Sequence, residues 1–176
     1  EISCSLVGSE MCIRDSTITL LSQGSATENQ LEREYLQQSI SQNLGVKVEL
    51  NTVGDYQMFA NERDNKNYDI FVGGWFSDYN DPLDFLNVMK TGVYDSYGLY
   101  SNSEYDSLID SLTGENDNAK RLEIYQKLED LLVAQDCGVA PLYYSDKHYY
   151  YQNWVKDFYT SSFGASQELY RATVEK

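Results

Sequence analysis

The sequence predicts an α/β fold, and three observations carry that prediction. Residues 17–22 (TITLLS) read as a short buried strand. Val46, Val48 and Leu50 alternate with Lys47 and Glu49, the period of a strand with one wet face. Helical spacing and a third apolar strand follow over short connections, so strand, helix, strand, helix and strand succeed one another.

Each element has its own local reason. Thr27, Glu28, Asn29 and Gln30 have capping-box spacing, in which the hydroxyl and the glutamine each satisfy an orphan amide. Leu31, Tyr35, Ile40 and Leu44 then recur at helical intervals, and Gly45 is a natural stop. A short helix is expected over about residues 56–64, before a buried strand at residues 70–72. Asp81 is placed to cap the next helix, with Pro82 at its first position and Asp84 in its first turn. Ser103 and Asp106 repeat the capping arrangement ahead of Leu108, Ile109 and Leu112. The longest helix is expected from about residue 117 to 135, with Leu122, Tyr125, Leu128 and Leu132 on one stripe and Gly138 closing it. Residues 139–151 read as an extended, tyrosine-rich segment entered through Pro141.

Composition narrows the function classes. The chain has 176 residues, a length that favours one compact domain, and 16 tyrosines supply apolar volume for a core. Its formal charge of -15 leaves no basic stripe to neutralise phosphates, which argues against nucleic acid as a partner. Spread surface acid also serves solubility alone. Residues 1–16 lack the periodicity of the rest, and SLVGSEMCIRDS looks like a translated sequencing adapter, so they are set aside as a non-native segment. Residues 17–176 keep 25 acidic and 12 basic side chains and one cysteine, Cys137, expected to be a small buried apolar group. No signal peptide and no membrane-length apolar run is seen in the sequence.

The stretch YDIFVGGWFSDYNDPLDFL concentrates the chemistry. Gly73 and Gly74 at a strand end let another backbone approach, and an indole and a carboxylate follow in Trp75 and Asp78. Such a strand end suits a ligand with a peptide-like backbone and a positive amine. The bland readings are that Trp75 is core and that Asp78 holds an Asx-turn with Asn80. No catalytic residue is assigned: His148 has no nucleophile matched to it. No metal site is assigned either, because DYNDPLD lacks the spacing and glycine of a calcium loop, and no cofactor is expected.

Four stretches in order then resemble one family. NLGVKVEL followed by YDIFVGGWFSDYNDPLDFLN, then YSNSEYDSLI, then RLEIYQKLEDLLVAQDCGVAPLYY are similar to the extracytoplasmic solute-binding proteins of oligopeptide and dipeptide ABC importers. The resemblance implies that residues 17–176 are a partial second lobe, from the C-terminal portion of a two-lobed periplasmic-binding-protein-like fold with a mixed sheet flanked by helices. It implies that Asp78 pairs with a peptide's α-ammonium, a charge-assisted bond worth about 1.5–3 kcal/mol. Gly74 and Phe76 fall where backbone groups pair with the ligand main chain, and Trp75 falls on a pocket wall. Tyr97, Gly98, Tyr144 and Ser145 fall near pocket-lining positions. Where some relatives carry an arginine that reaches a ligand carboxylate, this chain has Val72. The implied protein is a monomeric peptide binder in the periplasm, or lipid-anchored outside the cell membrane, with a membrane permease as partner. Two alternatives stay open: the same fold binding a sugar oligomer, nickel complex or cationic compound, and, remotely, a glycoside hydrolase built on Asp78, Asp81 and Asp84.

Overall fold

A computed structural model describes residues 17–24, 27–93, 99–164 and 167–175, with the side chains of residues 27, 28, 167 and 168 undescribed. Within it the chain divides into two compact units, the first ending at Gly74 and the second beginning at Trp75.

The first unit is a three-layer α/β arrangement. Strands β1 (Thr17–Gln23), β2 (Lys47–Val53) and β3 (Ile70–Phe71) pair in parallel, in the order β2-β1-β3. A parallel sheet needs both faces covered, and β1, at its centre, shows this in consecutive residues. Leu20 packs with Val46 and Val48, against Leu36 and Ile40 of helix α1 (Thr27–Leu44). Leu21 packs on the other face with Val53 and with Phe59 of helix α2 (Tyr56–Asp64). Asp55 caps α2 by accepting from the Met58 amide at 2.9 Å. Gly45 ends α1 at φ +70°, where its amide still reaches the Ser41 carbonyl at 2.9 Å.

Two expectations for this unit need correction. Leu31 and Tyr35 do not face the core: they are 64% and 70% exposed, and Leu44 is exposed as well. The buried face of α1 is instead marked by Arg33, whose guanidinium donates to the Gln23 carbonyl, and by Leu36, Gln37 and Ile40. Polar side chains that satisfy sheet-end carbonyls took core-facing places that an apolar count gives to leucines. The third strand is also an edge rather than a buried strand. Ile70 is exposed, and the ladder continues past Phe71 through one bond from the Val72 amide to the Leu21 carbonyl at 2.9 Å.

The second unit is helical around Tyr105, Ile109, Leu112, Leu128, Leu131 and Leu132, with Leu86, Val88 and Met89. Its helices are α3 (Leu83–Asn87), α4 (Ser103–Ser111) and α5 (Asn118–Glu129), which runs on as a π-helical segment (Asp130–Gln135). The cap of α4 is Asn102 rather than Ser103: its Oδ1 accepts from the amides of Glu104 and Tyr105 at 2.8 and 3.1 Å. Asp106 serves another end, accepting from the Thr91 amide at 3.0 Å. Tyr105 is fully buried, and its hydroxyl donates to the Leu86 carbonyl at 2.7 Å.

Leu122 lies outside the packed stripe of α5, whereas Leu128, Leu131 and Leu132 are buried. The wider π turn lets two adjacent leucines face the same core. Cys137, expected to be buried, is exposed and adopts the left-handed backbone at φ +52°. Residues 139–150 join no ladder among the described residues. Beyond them lie two small antiparallel pairs, β4 (Val155–Lys156) with β7 (Thr173–Val174) and β5 (Tyr159–Thr160) with β6 (Gln167–Glu168). Parallel and antiparallel pairing both occur, in separate sheets.

Candidate functional site

The aromatic-acidic loop opens the second unit and is held from beneath by one carboxylate. Trp75 is half-buried against the helical core, so it is partly the core residue that the bland reading expects. Its indole Nε1 donates to Asp84 Oδ2 at 3.2 Å. The same oxygen accepts the backbone amide of Asp78 at 2.8 Å. Asp84 sits in the first turn of α3 and is only 6% exposed.

Asp78 itself points its charge to solvent. Among the described residues its carboxylate accepts no hydrogen bond, and the Asx-turn with Asn80 is not formed. The turn is held instead by Ser77, whose Oγ donates to the Tyr79 carbonyl at 2.5 Å. An exposed carboxylate on a backbone fixed by a buried neighbour can accept hydrogen bonds from a cation without first rearranging.

The cap position of α3 is Pro82 rather than Asp81, but Asp81, one residue earlier, still satisfies an amide at the helix start. Its Oδ1 accepts from the Leu83 amide at 2.9 Å and from the Tyr125 hydroxyl at 2.5 Å, while its Oδ2 takes Arg121 Nη2 at 2.6 Å. Burial pushes the Asp81 carboxyl up, but the bonds from Tyr125, Leu83 and Arg121 outweigh it and hold the group below its ordinary value of 3.8. Burial and the Asp81 carboxylate together push the Tyr125 phenol up to about 12. Asp81 and Asp84 are thus structural carboxylates, and Asp78 alone of the three is presented outward.

Phe76 lies on the exposed side of the loop, 67% exposed. Lys147 Nζ sits over that ring, 4.5 Å from its centroid. This contact brings the segment of Tyr144 and Ser145 to the loop, and both of those residues are exposed, Tyr144 at 95%. Gly164 closes a third side: its amide donates to the Ser77 carbonyl at 2.9 Å, and its φ of +60° suits glycine. A Cβ there would lie 3.3 Å from the Asp78 carbonyl.

Of the residues singled out from sequence, Trp75, Phe76 and Asp78 share this loop, with Tyr144 and Ser145 on the neighbouring segment. Gly74 ends the first unit, and Tyr97 and Gly98 lie outside the described residues. Sequence reasoning missed Lys147 and Gly164, and saw Asp84 as a first-turn acid and as one carboxylate of the remote hydrolase alternative, without its partners Trp75 and Asp78. The partners of Asp84 lie in a loop with no period, so no spacing rule finds them. Among the described residues no group of three or more His, Cys, Asp or Glu could hold a metal, and no helix is long and apolar enough to cross a membrane.

A family model described as bacterial extracellular solute-binding proteins, family 5, middle, matches residues 7–96, just over half of the chain. The oligopeptide-binding protein OppA of Bacillus subtilis (strain 168) is 32% identical over 126 residues, 70% of this chain and 22% of that protein. A probable deoxycholate-binding periplasmic protein, YgiS of Escherichia coli (strain K12), is 30% identical over 101 residues, 57% of this chain and 18% of that protein. The solved structure of Listeria monocytogenes OppA bound to peptide aligns with a TM-score of 0.78 and 25% identity, covering 96% of this chain and 31% of that one. The chain therefore spans about a fifth of the length of these curated relatives. Its structural neighbours are two-lobed periplasmic binding proteins, and its own mixture of helix and sheet is a partial copy of that fold.

Proposed function

The chain belongs to the bacterial extracellular solute-binding proteins of family 5, and we propose that the protein carrying it binds oligopeptides outside the cell membrane and delivers them to an ABC importer. The observation that carries this reading is the outward-facing Asp78 carboxylate on a loop pinned from below by Asp84. A peptide's α-ammonium is the cation that such a carboxylate suits, through charge-assisted hydrogen bonds. The backbone groups of Gly74 and Phe76 would pair with the ligand main chain, which leaves side-chain identity unread. Trp75, Tyr144 and Ser145 would line the pocket, with Tyr97 and Gly98 beside them.

The protein is read as a binder rather than a catalyst, acting as a monomer with a membrane permease as its partner, periplasmic or lipid-anchored. The segment from residue 17 onward is read as part of the second lobe, with residues 1–16 foreign to it. In full-length protein, Asp78→Asn should weaken peptide binding tenfold or more by calorimetry. N-acetylated peptides should bind as weakly to the unsubstituted protein. Equal affinity of the variant, or equal tolerance of the acetylated ligand, would refute ammonium pairing.

A second reading keeps the fold and changes the solute to a sugar oligomer, a nickel complex or another cationic compound. The similarity to a probable deoxycholate-binding protein favours keeping it in view, since one fold here serves unlike solutes.

A further inference from the structure

We infer that Asp84 is a positioning residue for the ligand site, and that it acts through the place of one oxygen rather than through its charge. The inference rests on the peptide-binding reading above and adds to it a residue that never touches the ligand.

Three observations converge on that oxygen. Asp84 Oδ2 accepts the Trp75 indole N–H at 3.2 Å and the Asp78 backbone N–H at 2.8 Å. These are two of the residues read as belonging to the ligand site, and one acceptor couples them. Asp84 is 6% exposed, in the first turn of α3, where it and Leu86 are the buried residues. A buried acceptor with two fixed donors costs the desolvation of both N–H groups if it is removed, because water does not readily replace it there. The segment between Trp75 and Asp78 has no regular secondary structure. With Asp84 in place, the indole orientation and the backbone that aims the Asp78 carboxylate are set together. Without it this coupling between them is lost, and a site displaced by about an ångström binds poorly.

The geometry separates position from charge. Asp84→Asn keeps an oxygen able to accept both bonds and deletes the charge. Asp84→Glu keeps the charge and moves the oxygen by one methylene. Asp84→Leu removes both. The helix start has its own acceptor in Asp81, whose Oδ1 accepts from the Leu83 amide, so α3 does not depend on Asp84 for its start.

The test is calorimetric titration of full-length protein with one peptide in free-amine and N-acetylated forms, with Asp78→Asn run alongside. Asp84→Asn should bind the free-amine peptide within about threefold of the unsubstituted protein. Asp84→Glu should lose tenfold or more, and should discriminate less between the free and acetylated forms, at a melting temperature close to that of Asp84→Asn. Asp84→Leu, if it folds, should lose at least as much as Asp84→Glu. A strong Asp84→Glu beside a weak Asp84→Asn would overturn the inference in favour of charge. Unchanged binding in both Asp84→Glu and Asp84→Leu would overturn it outright. If Asp78→Asn binds normally, the peptide-ammonium reading has failed; if Asp78→Asn is weak while the Asp84 variants bind normally, only the positioning role has.

Discussion

At Gly138 the ring of Tyr100 comes so close that a Cβ would lie 2.8 Å from its Cδ2 and 3.1 Å from Leu132 Cδ1. The left-handed residue of that helix end is its neighbour Cys137, so Gly138 is needed for space and not for a positive φ. Tyr100 is itself anchored, its hydroxyl donating to Asp136 Oδ2 at 2.7 Å, with Asn102 Nδ2 on the same oxygen at 2.7 Å. The ring therefore has little freedom to retreat. Gly138→Ala should destabilise the second unit by about 1–3 kcal/mol, the usual cost of overpacking, visible as a lower denaturation midpoint at unchanged slope. An unchanged midpoint would mean that the ring moves aside freely. The same logic of anchored neighbours governs the aromatic-acidic loop, where Asp78 is exposed but its backbone is not free.

Between elements, the strongest polar tie near the loop joins the start of α3 to α5 through Asp81, Arg121 and Tyr125. The folded state holds the Asp81 carboxyl below its unfolded value of 3.8. Its contribution to stability is therefore present above that value, and is lost as pH falls through the lower folded value. Unfolding followed from pH 5 down to pH 2 should show stability declining at the acid end, and Asp81→Asn should make that decline shallower. An identical acid profile in the variant would remove Asp81 from the account. Asp81 was legible from Asp-Pro at a helix start, but its partners 40 and 44 residues away were not. The four short strands beyond residue 154 were not foreseen, whereas the order of strands and helices was legible from β1 to α5, because period and caps are local. Which face of a helix is buried was less so: Arg33 and Gln37 face inward on α1 because sheet carbonyls need donors, while Leu31 and Tyr35 face out. The π turn leaves no mark in a single sequence. Residues 139–151 read as an extended, tyrosine-rich segment, yet a strand needs a neighbour, and none pairs with them among the described residues.

For the whole molecule, the proposed function asks for a positive group on the ligand, which the acidity of residues 17–176, with 25 acidic and 12 basic side chains, complements. The relatives that carry the comparison do not all bind peptides by name, so ligand identity is the point on which the account stands or falls. The direct measurement is mass spectrometry of whatever small molecule is released, on denaturation, from purified full-length protein. The account predicts a set of short peptides of varied sequence, all with unblocked N-termini. Recovery of a sugar, a metal complex or a steroid in their place would contradict it.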